Sequence, residues 1–230
     1  MYLRRRYRIA ATGSEAEPYV IEHSTEIVNR SDSAKSLATV YFNLGTARAI
    51  SEGSMSSNYL NVGHFNGEDA DFVPITKLTG SSGFLGIGSS LPQDEIGFAG
   101  RMEWSSVKNQ FFASVLSSET VGNDLLIYPV ESSADGDGVP GRPGISGSVG
   151  YDVGMLPAGT SEALDFQFYV GPKEFKRLQA LGNQQDLVMQ FGFLGFFSKL
   201  LLAFMYAIYS FVPSWGWSIV IMTICIKLIF

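Results

Sequence analysis

From Leu3 to about Phe168 apolar and polar residues alternate in short runs, or Val, Ile, Tyr and Phe cluster, with Gly, Ser, Asn and Asp between the runs. A period of two residues sends successive side chains to opposite faces of an extended chain, so the pattern predicts β-strands. Ten are expected, near Leu3–Ala10, Tyr19–Val28, Leu37–Leu44, Tyr59–His64, Phe72–Lys77, Phe98–Trp104, Asn109–Leu116, Leu125–Glu131, Ile145–Tyr151 and Ala163–Val170. No helical period falls between them, which implies mostly antiparallel pairing. Two stacked sheets let each strand bury one face while Arg4, Arg6, Glu22 and Glu26 keep the other in water. The expected fold is mainly β, a two-sheet sandwich.

The pattern changes after Val170. Gly171 and Pro172 end a strand and open a helix, because proline is favoured in a first turn where its missing N–H is not needed. Phe175, Leu178 and Leu181 then fall at helical spacing, and Gly182 closes a short amphipathic helix. The run from Phe191 to Val212 is apolar except for Lys199 and long enough to span a bilayer, for which about 20 residues suffice. Pro213 and Ser214 break it. A second apolar stretch follows, with Trp215 and Trp217 placed as residues of a membrane interface are. The expected organisation is a β-sandwich domain at 1–170, a connecting amphipathic helix region at 171–190, an interfacial or membrane-spanning helix at 191–212, and at 213–230 a transmembrane helix that the sequence leaves unfinished.

Charge sharpens this division. The 230 residues carry a formal net charge of -6, and every acidic residue lies at or before Asp186. Beyond Gln190 only Lys199 and Lys227 are charged. An acidic, water-seeking domain therefore precedes a segment that avoids water, and nucleic acid is not an expected partner. The basic start, MYLRRRYRIA, has no apolar run behind it and reads as neither signal nor anchor, so export would depend on sequence outside this stretch. Cys225 stands alone, which leaves no intrachain disulfide and no cysteine-based metal cluster.

Enzymatic chemistry finds little purchase. The loop from Ser133 to Ser146 opens like a calcium loop, with Asp135, Asp137 and Gly138, but its twelfth position from Asp135 is Ser146 where a bidentate Glu is needed. An ordinary Gly- and Pro-rich turn is expected there. The glycines of Gly80–Ser90 lack the spacing and the lysine of a phosphate cradle, so that stretch reads as a flexible connection. His23 and His64, with Glu22 or Glu68 nearby, are the candidate acid/base pair of a sugar-converting sandwich, but no spacing signature supports them over ordinary strand residues. No cofactor and no catalytic residue is expected.

Several stretches together resemble the YidC-type membrane protein insertase family: YVGPKEF at Tyr169–Phe175, the Phe-Gly start at Phe191, SKLLL at Ser198–Leu202 and SWGWSI at Ser214–Ile219. Upstream, EWSSVKNQFFAS at Glu103–Ser114 is similar to the family's Trp-x-x-x-Lys-x-x-Phe-Phe strand. The resemblance implies a periplasmic β supersandwich of the galactose mutarotase type, not active as an enzyme. It further implies that the segment matching Phe191–Tyr209 is an interfacial helix along the outer leaflet, and that the first core helix begins near Pro213.

Such an insertase assists the insertion, folding and assembly of integral membrane proteins into the bacterial inner membrane, alone or with the Sec translocon and its accessory subunits. Its partners are newly made membrane proteins and the lipid bilayer, and residues 1–190 would lie in the periplasm. In the family a cation in a water-filled groove attracts the hydrophilic stretch of the substrate. The matching position is Lys227, a lysine where arginine is usual, which keeps the charge and loses the planar donor fork. From the residues alone, a lysine snorkelling to the interface remains open at this position. Two other readings of the chain remain open as well, a membrane-anchored carbohydrate-binding or mutarotase-like protein and a membrane-anchored adhesion or scaffold domain.

Overall fold

The computed structural model describes residues 1–11, 17–50, 59–80, 91–130, 143–191 and 195–229, and divides into two compact units, Met1–Val188 and Met189–Phe230. The organising element of the first is a long hairpin, β6 (Ile96–Lys108) with β7 (Phe112–Val130). One edge of β7 pairs with β6. The other pairs with β9 (Ser161–Pro172) over Phe112–Ser118 and with β8 (Gly144–Leu156) over Asp124–Val130. One strand therefore serves two sheets.

The first sheet runs β1 (Tyr2–Ile9), β2 (Val20–Val28), β9, β7, β6, β4 (Asn61–Phe65), β5 (Ala70–Pro74). The second adds β3 (Lys35–Arg48) to β8 and the far half of β7. Every pairing is antiparallel. The inner faces meet in one core, in which Leu44, Val62, Leu125, Ile127 and Ile145 are fully buried. Each such side chain contributes on the order of 2 kcal/mol by leaving water.

β7 changes partners where its register with β6 slips, between Ala99 and Met102 and again between Met102 and Trp104. Extra residues at a slip bend a ladder and increase its twist. Gly122 sits in this corner, and a Cβ there would lie 2.6 Å from Val149 Cγ1 and 3.3 Å from Met102 Cβ. Three strands can close on one another only because that position has no side chain.

The structure corrects two strand expectations. Asn109–Leu116 and Leu125–Glu131 are halves of the single strand β7, since its alternation resumes after the bend and breaks only locally at Gly122. Phe72–Lys77 stops at Pro74: Ile75 turns into the helical region, its N–H donating to Leu60 O at 2.9 Å, and α1 (Thr76–Thr79) follows. Asp135, Asp137 and Gly138 of the calcium-like loop, and residues 81–90 of the glycine-rich stretch, lie outside the described residues.

β1 forms an edge of the first sheet and is blunted by charge. Arg4 pairs with Glu26 at 2.9 Å and Arg8 with Glu22 at 3.0 Å. These exposed pairs add little stability, but arginines along an unpaired edge discourage other strands from joining it.

The second unit contains α3 (Gly195–Phe211) and α4 (Trp215–Ile229). Pro213 separates them, and Trp215 stacks on Tyr209 with ring centroids 4.4 Å apart and meets the edge of Tyr206 at 5.6 Å. Ser218 is buried, its Oγ donating to Ser214 O at 2.9 Å. Among the described residues no helix is long and apolar enough to cross a membrane.

Gly122→Ala should destabilise the β unit by about 1–3 kcal/mol through overpacking at the corner. The check is the urea midpoint, which should fall at unchanged slope; an unchanged midpoint would mean that the corner has room.

Candidate functional site

The site that the fold builds most deliberately is the path by which the chain leaves the β unit. At the end of β9, Tyr169 is buried and its hydroxyl donates to Pro172 O at 2.6 Å. Burial, reinforced by Glu17, pushes this phenol up to about 12. Gly171 allows the tight packing here, since a Cβ would lie 2.8 Å from Tyr19 Cγ and 2.9 Å from the Tyr169 hydroxyl. α2 (Phe175–Ala180) then begins close to where helical spacing places it. Its Arg177 donates to Glu17 at 2.8 Å and to Glu174 at 2.6 Å, with the guanidinium 5.2 Å over the Tyr19 ring. The YVGPKEF stretch is thus a set of contacts that fixes the direction of exit.

Beyond α2 the chain turns at Gly182, with φ +79, and the next two residues are left-handed although neither is glycine: Asn183 at φ 46 and Gln184 at φ 54. Side chains other than glycine adopt that region at a cost, so neighbouring contacts must hold it. Those contacts come from β6. Trp104 Nε1 donates to Asn183 O at 2.8 Å, and Lys108 Nζ donates to Val188 O. Between them a 3-10 turn (Gln185–Met189) keeps Gln185 and Val188 buried. The segment therefore runs along β6 in the direction of that strand, from Trp104 at Asn183 to Lys108 at Val188.

Alternation places Trp104, Ser106 and Lys108 on one face of β6, which explains the Trp-x-x-x-Lys spacing physically. Trp104 stacks on Phe65 at 5.7 Å, and Lys108 Nζ lies 4.5 Å over the Phe72 ring. Lys108 is only 2 % exposed. Burial, with Lys173 nearby, pushes its ammonium down to about 6, so near neutrality the amine is uncharged and still donates. Sequence reasoning missed this lysine as a buried group; the signal available was its place two and four residues from Ser106 and Trp104.

The structure keeps the candidate histidines apart. His23 on β2 and His64 on β4 are separated by β9, β7 and β6, about 19 Å at the usual strand spacing. His23 stacks on Tyr7 at 4.4 Å, and its Nε2 shares a 2.9 Å hydrogen bond with Thr25. It borders a cleft of about 630 Å³ with Arg6, Glu119 and Asp165. Burial, then Arg5, lowers its pKa. His64 is buried beside Phe98, and desolvation lowers its pKa against the opposing pull of Asp71. Glu22 is engaged by Arg8. Among the described residues no carboxylate hydrogen-bonds either ring, and no cluster of His, Cys, Asp or Glu has the makings of a metal site. Lys227 lies exposed in the last turn of α4. Four residues before it, Thr223 directs its hydroxyl to Ile219 O at 2.8 Å.

Lys108 gives the β unit a pH signature. Its folded pKa is depressed from 10.5 to about 6, so between these values the unfolded chain holds a proton that the native state lacks, and stability rises with pH. Below about pH 6 both states are protonated and the penalty is fully present. Lys108→Met should flatten the rise in urea midpoint from pH 6 to 9; an equally steep rise in the variant would show that Lys108 does not titrate this way.

The sequence model of the YidC periplasmic domain family matches residues 8–204. A membrane protein insertase YidC from Coxiella burnetii (strain CbuK_Q154) is 32% identical over 149 residues, 61% of this chain and 24% of the relative. One from Janthinobacterium sp. (strain Marseille) is 37% identical over 34% of the chain and 14% of its own length, and one from Legionella pneumophila (strain Corby) is 44% identical over 28% and 12%. The chain thus spans less than a quarter of these curated relatives. Among solved structures, one assigned as an aldose 1-epimerase from Escherichia coli K12 superposes with a TM-score of 0.38 at 12% identity, covering 73% of this chain and 65% of the other. With most of its length inside the matched range, the chain belongs to the YidC family and carries that family's periplasmic domain.

Proposed function

We propose that this chain is the periplasmic β domain and the adjoining membrane helices of an insertase that helps integral membrane proteins enter and fold in the bacterial inner membrane, alone or with the Sec translocon and its accessory subunits. The observation that carries the reading is the handover itself. A β unit with its own core grips its outgoing segment at Trp104 and Lys108, and the chain continues into two helices that leave large apolar side chains exposed. Water does not favour such helices; lipid or protein does.

In this reading the β unit, residues 1–190 with its linker, is a supersandwich of the galactose mutarotase type on the periplasmic side, and it performs no catalysis. α3 lies along the outer leaflet. Phe196, Phe197, Leu200, Leu201, Phe204 and Phe211 fall on one side at 3.6 residues per turn and are all exposed, while Ser198, Lys199 and Ser210 fall on the other. α4 belongs to the first helix of a transmembrane core. Lys227 is the cation of a hydrophilic groove: a charge at a membrane centre costs about 2.5–3.5 kcal/mol even on mild scales, so it is kept where water and a substrate carboxylate offset the cost.

The test is a chimera in which residues 1–230 replace the matched segment of the Coxiella insertase, assayed in cells depleted of their own. Lys227→Arg should retain insertion of single-span substrates, Lys227→Glu should impair those with acidic translocated segments most, and Lys227→Ala should fall between. Equal insertion by all three at equal expression would remove Lys227 from the mechanism. His23→Ala and His64→Ala should leave growth unchanged; loss of growth at normal protein levels would restore an enzymatic reading.

A further inference from the structure

We infer that the tip of the β6–β7 hairpin, with Phe111 and Phe112, is a lipid contact by which the β unit rests on the bilayer surface. Phe111 is 54% and Phe112 56% exposed. Their display is built. Asn109 Oδ1 accepts from Phe111 N at 3.0 Å and Phe112 N at 2.9 Å, Asn109 N donates to Phe112 O at 3.0 Å, and Lys173 N donates to Phe111 O at 2.7 Å. A turn fixed on both sides holds two adjacent phenyl rings in solvent, where each forgoes the free energy of burial unless something apolar covers it.

The apolar surface extends past the tip. Pairing sets Phe112 against Pro172 and Ser114 against Val170, on the face that carries Leu116 and Phe168 into the core. This inward face outruns β3, so Val170 (45%) stays exposed beside Phe112 at the mouth of the sandwich. At the opposite end of β9, near Ser161, the exposed large apolar residues are Met1, Leu3 and Met155, and none of them is aromatic.

The covering surface follows from where the chain leaves. Val188, the last residue of the β unit, is held by Lys108, the last residue of β6, directly before the turn that carries the two phenylalanines. Residues 189–194 lead to α3 and reach at most ~25 Å fully extended. A bilayer that takes α3 therefore stays within reach of the tip, at high effective concentration. Aromatic side chains seat well at the boundary of headgroups and acyl chains. The inference rests on the reading that the C-terminal helices enter a membrane.

The test uses the whole chain in vesicles of phosphatidylethanolamine and phosphatidylglycerol carrying spin labels near the headgroup. An environment-sensitive fluorophore is placed at Gln110→Cys in a Cys225→Ser background, which leaves both phenylalanines intact; Ser161→Cys marks the far end and native Cys225 marks α4. The tip label should shift to the blue and be quenched several-fold more than the Ser161 label, and Phe111→Ser with Phe112→Ser should abolish the quenching while the β-rich circular dichroism persists. An unquenched tip with a quenched Cys225 label overturns the contact and leaves the membrane reading standing. A blue shift without quenching by lipid assigns the tip to a protein surface and equally overturns it. No quenching at either label overturns both.

Discussion

A β-strand has only two edges, and β7 commits both. It gives one to β6 and divides the other between β9 and β8, so the two sheets are joined through a single strand that bends at Gly122. The rest of the unit follows from this hairpin. Its bend brings the inner faces together, its outer face at Trp104 and Lys108 receives the departing chain, and its turn presents Phe111 and Phe112. Core, handover and apolar tip lie along one element, and a shift of its register would disturb all three.

The handover depends on a buried lysine where a methionine would pack at less cost in desolvation. What lysine adds is a donor: without it the Val188 carbonyl would lose its partner. The amine can stay uncharged near neutral pH and so makes this bond without carrying a buried charge. Together with Trp104 it holds Asn183 and Gln184 in the left-handed region, so the last stretch of the β unit has a defined path although its local sequence does not favour one.

Much of this was legible in the sequence. Alternation located the strands, the change of period after Val170 located α2, and the loss of acidic residues marked the apolar segment. The matched stretches pointed to the family. Less legible was anything set by distant pairing. The two halves of β7 looked like separate strands because Gly122 and its polar neighbours interrupt the pattern where the strand changes sheets. The burial of Lys108 was not legible, because a lysine in an alternating strand is usually solvated and the 3-10 turn laid over this one is set by distant pairing. His23 and His64 looked like potential partners until the strand order put three strands between them.

The central claim, that the β unit holds its outgoing chain firmly against β6, is tested most directly by hydrogen exchange across Gln185–Met189 in the whole chain. Gln185 N donates to Gly182 O at 3.0 Å and Leu187 N to Gln184 O at 3.0 Å, bonds that an unattached linker could not keep. The account predicts that these amides are protected to nearly the level of β6 itself, because they open only when the clamp opens. Exchange at the rate of a free peptide, with β6 still protected, would contradict it.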